Sequence, residues 1–324
     1  MPESLTRLAG VIRLARSRWV TIPLRLVAGI ATVIAASVAS QAVGNTFRPG
    51  REHLESPSDL VAYFAAAALV AVAVLAAYTL FVRLTERRWP TELQPRPALC
   101  ELPQGIGLGF GLSATSVAAI WIMGGYHIDG VADRSTWAVI IVRGLAIAVA
   151  SSVIEELLIR GLVLRILAEV FGRWWALVVS SLLFGVLHMA NPNSSVIDGL
   201  ILVIEAGFLL GIAYLWTERL WLPIGLHGAW NFALAAIFGG ALSGQEVSAI
   251  ISAKLVGPER ISGGAFGIEG SLISTVICSA AACTILLLTL RQRGFASSRQ
   301  DGLALAQAEH IEEYKTPAGI VDEV

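Results

Sequence analysis

Apolar residues run along this chain in long blocks separated by short polar connections. Eight blocks reach, or come close to, the roughly 20 residues that a helix needs to cross a bilayer. They cover residues 19–43, 59–82, 104–125, 137–159, 174–190, 198–217, 221–243 and 271–290. The pattern predicts an all-α, polytopic transmembrane bundle of about eight spans. The fifth block is short. The fourth is expected to run on through Leu162, Leu164 and Ile166 to about Glu169, with the turn into the fifth at Gly172. Glu155 and His188 then lie 17 residues before and 16 after that turn. At about 1.5 Å per residue, antiparallel helices bring them to one level. His227 lies six residues past Trp221 and is nominally at a different depth, nearer the cytoplasm. An irregular start at Pro223, or a cavity opening from that side, would reconcile the two. Two polar stretches break the pattern, a Gly-rich outer loop at 244–270 and a tail at 297–324 expected to be mobile.

Composition removes whole classes of function. Of 324 residues, 56% are hydrophobic and 15% charged, with a mean hydropathy of +0.72. Soluble domains carry about 25% charged residues, so a typical soluble enzyme is excluded. A net charge of −1 provides no field for polyanions, and no nucleic-acid partner is expected. The partners are membrane lipid and whatever the membrane presents. Sixteen of the 23 Lys and Arg residues fall on the N-terminal side of the membrane when spans alternate, against five on the other. That asymmetry places both termini in the cytoplasm. Ser37-Val38-Ala39-Ser40 imitates a signal-peptide cleavage site, but Arg25 interrupts the apolar run and the charge pattern needs the first span. The Arg-, Ala- and Gly-rich composition suits a high-GC bacterium and its plasma membrane. Cys100, Cys278 and Cys283 form no disulfide framework and read as small hydrophobes. Gly105, Gly107, Gly109 and Gly111, spaced by two, suit close helix packing rather than a phosphate loop.

In so apolar a chain, ionisable residues inside spans carry the information, because each costs a few kcal/mol at the bilayer centre unless paired or hydrated. They are Arg25, Arg143, Glu155, Glu156, Arg160, His188, Glu205 and His227, joined by the amide of Asn231. On a helix Glu156 and Arg160 are i and i+4, in the favourable order for an ion pair. Glu155 lies about 100° away around the helix, without that partner, and is a candidate proton acceptor. Phe184 and His188 share a face, as do His227 and Asn231. Each piece alone also reads as structure: an ion pair, a core histidine, an interhelical hydrogen bond. A proton-coupled transporter uses similar groups but often shows internal repeats, and none is visible. A non-catalytic scaffold does not need all of them together.

Taken in order, Glu155-Glu156-Leu157-Leu158-Ile159-Arg160, Phe184-Gly185-Val186-Leu187-His188 and His227-Gly228-Ala229-Trp230-Asn231 resemble the CAAX protease and bacteriocin-processing family of intramembrane proteases, which includes the type II CAAX prenyl endopeptidases. The resemblance covers about residues 135–240. It implies a peptide-bond hydrolase acting on a membrane-associated protein or peptide, with prenylation of that substrate left open. By position, Glu155 would activate water, Glu156 would be held by Arg160, and Phe184 would orient His188. His188 and His227 would bind a metal or polarise the water, and Asn231 would stabilise the oxyanion. Glu156, His188 and His227 also meet the ligand count of a catalytic zinc. A metal-dependent and a metal-free, glutamate-activated mechanism both remain open. The implied organisation is an N-terminal three-span region at 1–134, a catalytic core at 135–243, the outer loop and last span at 244–296, and the tail at 297–324. Glu205 stands outside the motifs, either as a further acid facing the cavity or as a partner of Arg143.

Overall fold

A computed structural model describes residues 18–47 and 56–291. The basic N-terminal residues before Arg18, Arg48 and Arg51 of the first connection, and the tail at 297–324 lie outside the described residues. The architecture is all-α: seven helical stretches are long and apolar enough to cross a membrane. Large apolar side chains such as Leu24, Val61, Leu80 and Ile106 stay exposed on their outer faces, as lipid-facing positions do. The chain divides into two compact units at Ala282/Cys283. The second is described only over the helical residues 283–291, where the Thr289 hydroxyl donates to the Ile285 carbonyl at 2.7 Å.

In the first unit, α1 (Arg18–Phe47) and α2 (Pro57–Thr85) precede α3 (Pro95–Ile122). The fourth stretch, Arg134–His188, spans 55 residues. It comprises α4 (Trp137–Glu156), a π-helical segment (Leu157–Leu164) and α5 (Arg165–His188). Run straight, the 33 residues from Glu155 to His188 would extend about 50 Å, yet their side chains stand 3.8 Å apart. The chain folds back at Gly172, whose φ of 76° a residue with a Cβ rarely adopts. The expected turn and the shared level of Glu155 and His188 are therefore observed, and the fourth helix continues past 159 as far as that turn.

Then follow α6 (Val196–Leu202), a second π segment (Val203–Phe208), α7 (Leu209–Thr217), α8 (Trp221–Phe232) and a third π segment (Ala233–Phe238). Serine caps start two of the helices where the chain turns back. Ser56 and Asp59, and again Ser195 and Asp198, exchange side-chain and backbone hydrogen bonds that satisfy donors costly to leave open near lipid. The last helix, α10, spans Leu272–Arg291.

Two contacts set the depth of α8. A Cβ at Gly105 would overlap the Leu222 carbonyl and one at Gly109 the Leu226 carbonyl, whereas Gly107 and Gly111 face open space. Only the i, i+4 pair is the packing face, and it seats α3 against the backbone beside His227. At its start, the Leu220 N–H donates to the Glu92 carbonyl at 3.0 Å. The Tyr78 hydroxyl lies 2.5 Å from Glu92 Oε1 and 3.0 Å from the Gly161 carbonyl. Leu220 thus begins α8 at the level of Gly161, well inside the turn at Gly172. Glu155 is about 9 Å along the helix from Gly161 and His227 about 10 Å from Leu220, by the helical rise. The depth mismatch expected for His227 disappears.

Around the same end, Arg25 pairs with Glu86 and Glu169 at 2.7 Å, and Arg165 with Glu86 at 2.7 Å. Burial raises the Glu86 carboxyl, but the Arg165 hydrogen bond and charge, with Arg25 and Arg88, outweigh it and bring its pKa down to about 2. Arg25 therefore belongs to this structural ion cluster. On the opposite side, the 244–270 region is ordered in part as strands. β4 (Ile251–Leu255) pairs antiparallel with β1 (Tyr126–Val131), and β3 (Gln245–Glu246) pairs with β2 (Ala241–Leu242). A four-residue helix, α9 (Glu259–Ser262), follows.

Candidate active site

Three elements carry their motif residues to one point: the end of α4, the end of α5 and the middle of α8. His188 Nε2 and His227 Nε2 each stand 3.8 Å from Glu155 Oε2. The far nitrogens fix both rings. His188 Nδ1 is 2.9 Å from the Phe184 carbonyl oxygen, which only accepts, so Nδ1 carries the proton. His227 Nδ1 is 2.9 Å from Glu156 Oε1 and donates to it. In their neutral forms both imidazoles then present an Nε2 lone pair towards Glu155. The Phe184 ring lies 4.4 Å from that of His188 and 6.2 Å from that of His227, shielding both.

The two neighbouring glutamates have opposite surroundings. The Glu155 side chain is 31% exposed and that of Glu156 is 0% exposed. Glu155 Oε2 is itself a buried atom with no hydrogen-bond partner among the described residues. Glu156 Oε1 accepts from Arg160 Nη1 at 2.8 Å as well as from His227. Arg160, fully buried, also donates through Nη2 to the carbonyls of Ala206 and Gly207 at 3.2 and 3.1 Å, and its guanidinium lies 4.8 Å from the centre of the Phe184 ring. The i, i+4 ion pair read in the sequence is present. It also holds His227 and the second π segment.

Asn231 Nδ2 donates to Ser151 Oγ at 2.9 Å, which leaves its second N–H free to point elsewhere. Sequence reasoning gave Ser151 no role, although it sits one turn before Glu155 on the same face. π-helical geometry begins just after Glu156 and includes Arg160 at 157–164, surrounds Glu205 at 203–208, and follows Asn231 at 233–238. Such widened turns occur often at functional sites.

Ser151, Glu155, Phe184, His188, His227 and Asn231 line one cavity of about 530 Å³, together with Glu205, Arg143 and outer residues between Leu242 and Ser248. Glu205 accepts from the Ser274 hydroxyl of α10 at 2.7 Å and from Thr275 at 3.4 Å. It faces the cavity, as one of its two expected placements required. Cys100, Cys278 and Cys283 are free thiols.

The metal-ligand set expected from the sequence does not converge. Glu156 meets His227 at Nδ1, on the far side of the ring from the nitrogen that faces His188. Glu155 Oε2 and the two Nε2 atoms are suitable donor atoms at a wider spacing than a closed zinc site. Zinc bonds of about 2.0–2.1 Å in a tetrahedron hold ligand atoms about 3.4 Å apart, and the observed separations are 3.8 Å. Among the described residues no three His, Cys, Asp or Glu side chains are placed to hold a metal ion.

Residues 135–233 match the family model described as type II CAAX prenyl endopeptidase Rce1-like. The matched stretch contains all of Glu155, Glu156, Arg160, Phe184, His188, His227 and Asn231. Comparison with curated proteins and with solved structures gives no match.

Proposed function

We propose, on the match of residues 135–233 to the Rce1-like model of type II CAAX prenyl endopeptidases, that the protein hydrolyses a peptide bond of a membrane-associated protein or peptide within its helical bundle. One observation carries the reading: a buried carboxylate oxygen without a hydrogen-bond partner among the described residues, faced by two imidazole nitrogens at 3.8 Å. That separation is too long for a direct hydrogen bond and short enough for one water to bridge.

A water in this position donates one hydrogen to Glu155 and the other to an Nε2 lone pair. Its own lone pair is then directed at the scissile carbonyl. As the C–O bond forms, Glu155 takes the proton, and the carbonyl oxygen becomes an oxyanion to which the free Asn231 N–H donates. Glu155 returns the proton to the amide nitrogen, the C–N bond breaks, and a carboxylic acid and an amine leave. Glu156 and Phe184 hold the two rings in the tautomer that this requires.

The test is reconstitution in liposomes with a library of membrane-tethered peptides, followed by mass analysis of the products. Cleavage by wild type is expected to survive exhaustive chelation. A loss that zinc alone restores would make Glu155, His188 and His227 metal ligands and overturn the water-only mechanism.

Both termini face the cytoplasm in this reading, and the 244–270 segment faces the opposite side. Reporter fusions after Gly50, after Arg88 and within 244–270 are expected to read outside, inside and outside. An inside signal from the third would invert the topology.

A further inference from the structure

The matched domain ends at 233, but the cavity wall continues to Cys278. Within that continuation Glu269 is buried, with 5% of its surface exposed. It is anchored on both sides. Its Oε1 accepts from the indole N–H of Trp230 on α8 at 3.1 Å. Its Oε2 accepts from the backbone N–H of Ser243 at 2.6 Å and the Ser243 hydroxyl at 2.7 Å. Three donors on one buried carboxylate are the compensation that such burial needs.

Each anchored residue has something to be held against. Trp230 is next to Asn231, about 100° around α8, so tethering the indole fixes the rotation of the helix and the direction of the Asn231 amide. The tether falls just before the π segment at 233–238. There the hydrogen-bond ladder widens from i→i+4 to i→i+5. Ser243 has a φ of 46°, a strained left-handed conformation for a residue with a side chain. The Glu269 carboxylate captures both of its donors there and fixes the wall from Leu242 to Ser248. Ser151 and Glu156 hold Asn231 and His227 from the α4 side, and Glu269 holds α8 from the outer side.

We infer that Glu269 is a positioning residue: it acts through Trp230 to aim Asn231 at the oxyanion and through Ser243 to fix the outer wall where substrate lies. The inference rests on the proteolytic reading for its kinetic consequence alone. Gln in place of Glu keeps one acceptor but turns an NH2 group towards one of the donors, so it breaks the latch at nearly constant volume.

The experiment compares Glu269→Gln, Trp230→Phe and Ser243→Ala in liposomes, using whichever tethered peptide wild type cleaves, with hydrogen exchange measured on the same proteins. Glu269→Gln and Trp230→Phe are expected to lower kcat by roughly 10- to 100-fold, the size of effect that a misplacement of about 1 Å produces. Neither should lower it further in an Asn231→Ala background. Ser243→Ala is expected to act mainly on KM. Residues 225–246 should lose exchange protection in Glu269→Gln. Trp230→Phe breaks one side of the latch and decides the matter if Glu269→Gln does not fold. Unchanged kcat, a loss additive with Asn231→Ala, or unchanged protection would each overturn the inference. If wild type cleaves nothing, the proteolytic reading fails by itself, and the exchange pattern alone decides whether the latch exists.

Discussion

Glu155→Gln is expected to lower turnover of a tethered peptide by about 10²- to 10⁴-fold, the usual contribution of a positioned general base, with no loss of thermal stability in detergent. The two halves of this expectation have separate origins. The amide matches the carboxylate in volume but cannot take the proton from water. The fold loses nothing, because Glu155 Oε2 has no hydrogen-bond partner among the described residues. An amide N–H placed there would meet two imidazole lone pairs instead of a third acceptor, so the melting temperature should hold or rise. Initial cleavage rates and melting curves on one preparation test both halves. A Glu155→Gln protein that cleaves at the wild-type rate would remove Glu155 as the base. One that is inactive and melts early would reduce it to a structural residue.

The helices and the candidate site residues were legible in the sequence because both signals are local. Blocks of about 20 apolar residues need no tertiary context, and a pair spaced i, i+4 shares a helix face in any fold. The turn at Gly172 was legible for the same reason, as a glycine just before Arg173-Trp174-Trp175 between two apolar blocks, and the shared level of Glu155 and His188 followed from it. What stayed hidden depends on contacts distant in sequence. Leu220 takes its depth from the Glu92 carbonyl, 128 residues earlier. The Glu269 latch joins residues 39 and 26 positions apart across a segment that reads only as a Gly-rich loop. The pairing of β4 with β1 joins Tyr126 to Leu255, 129 residues later. Spacing also could not say which oxygen of which glutamate faces which imidazole nitrogen. That detail separates the expected zinc ligands from the observed arrangement.

The Glu156–Arg160 pair should report on folding and on catalysis together. Both side chains are 0% exposed, and breaking such a pair by removing one charge costs roughly 3–5 kcal/mol, a large share of the typical margin of a folded protein. Glu156→Gln strands the Arg160 charge, so a sharp fall in yield and melting temperature is expected. Arg160→Met strands Glu156 and also leaves the Ala206 and Gly207 carbonyls without their guanidinium donor. It should be the less stable of the two single variants. In the double variant neither charge is left alone, and part of the stability should return, short of wild type by the lost guanidinium hydrogen bonds to the Ala206 and Gly207 carbonyls. Activity should not follow stability in a simple way. A Gln at 156 keeps an oxygen that accepts from His227 Nδ1, so the folded fraction of Glu156→Gln should retain measurable cleavage. Glu156→Leu removes that acceptor, frees the ring to turn, and should abolish cleavage even in an Arg160→Met background that restores charge balance. Melting curves and rates per folded molecule for these variants separate the ion pair from the ring-holding role. If Glu156→Gln is folded and inactive while Glu155→Gln still cleaves, the two neighbouring carboxylates have exchanged roles.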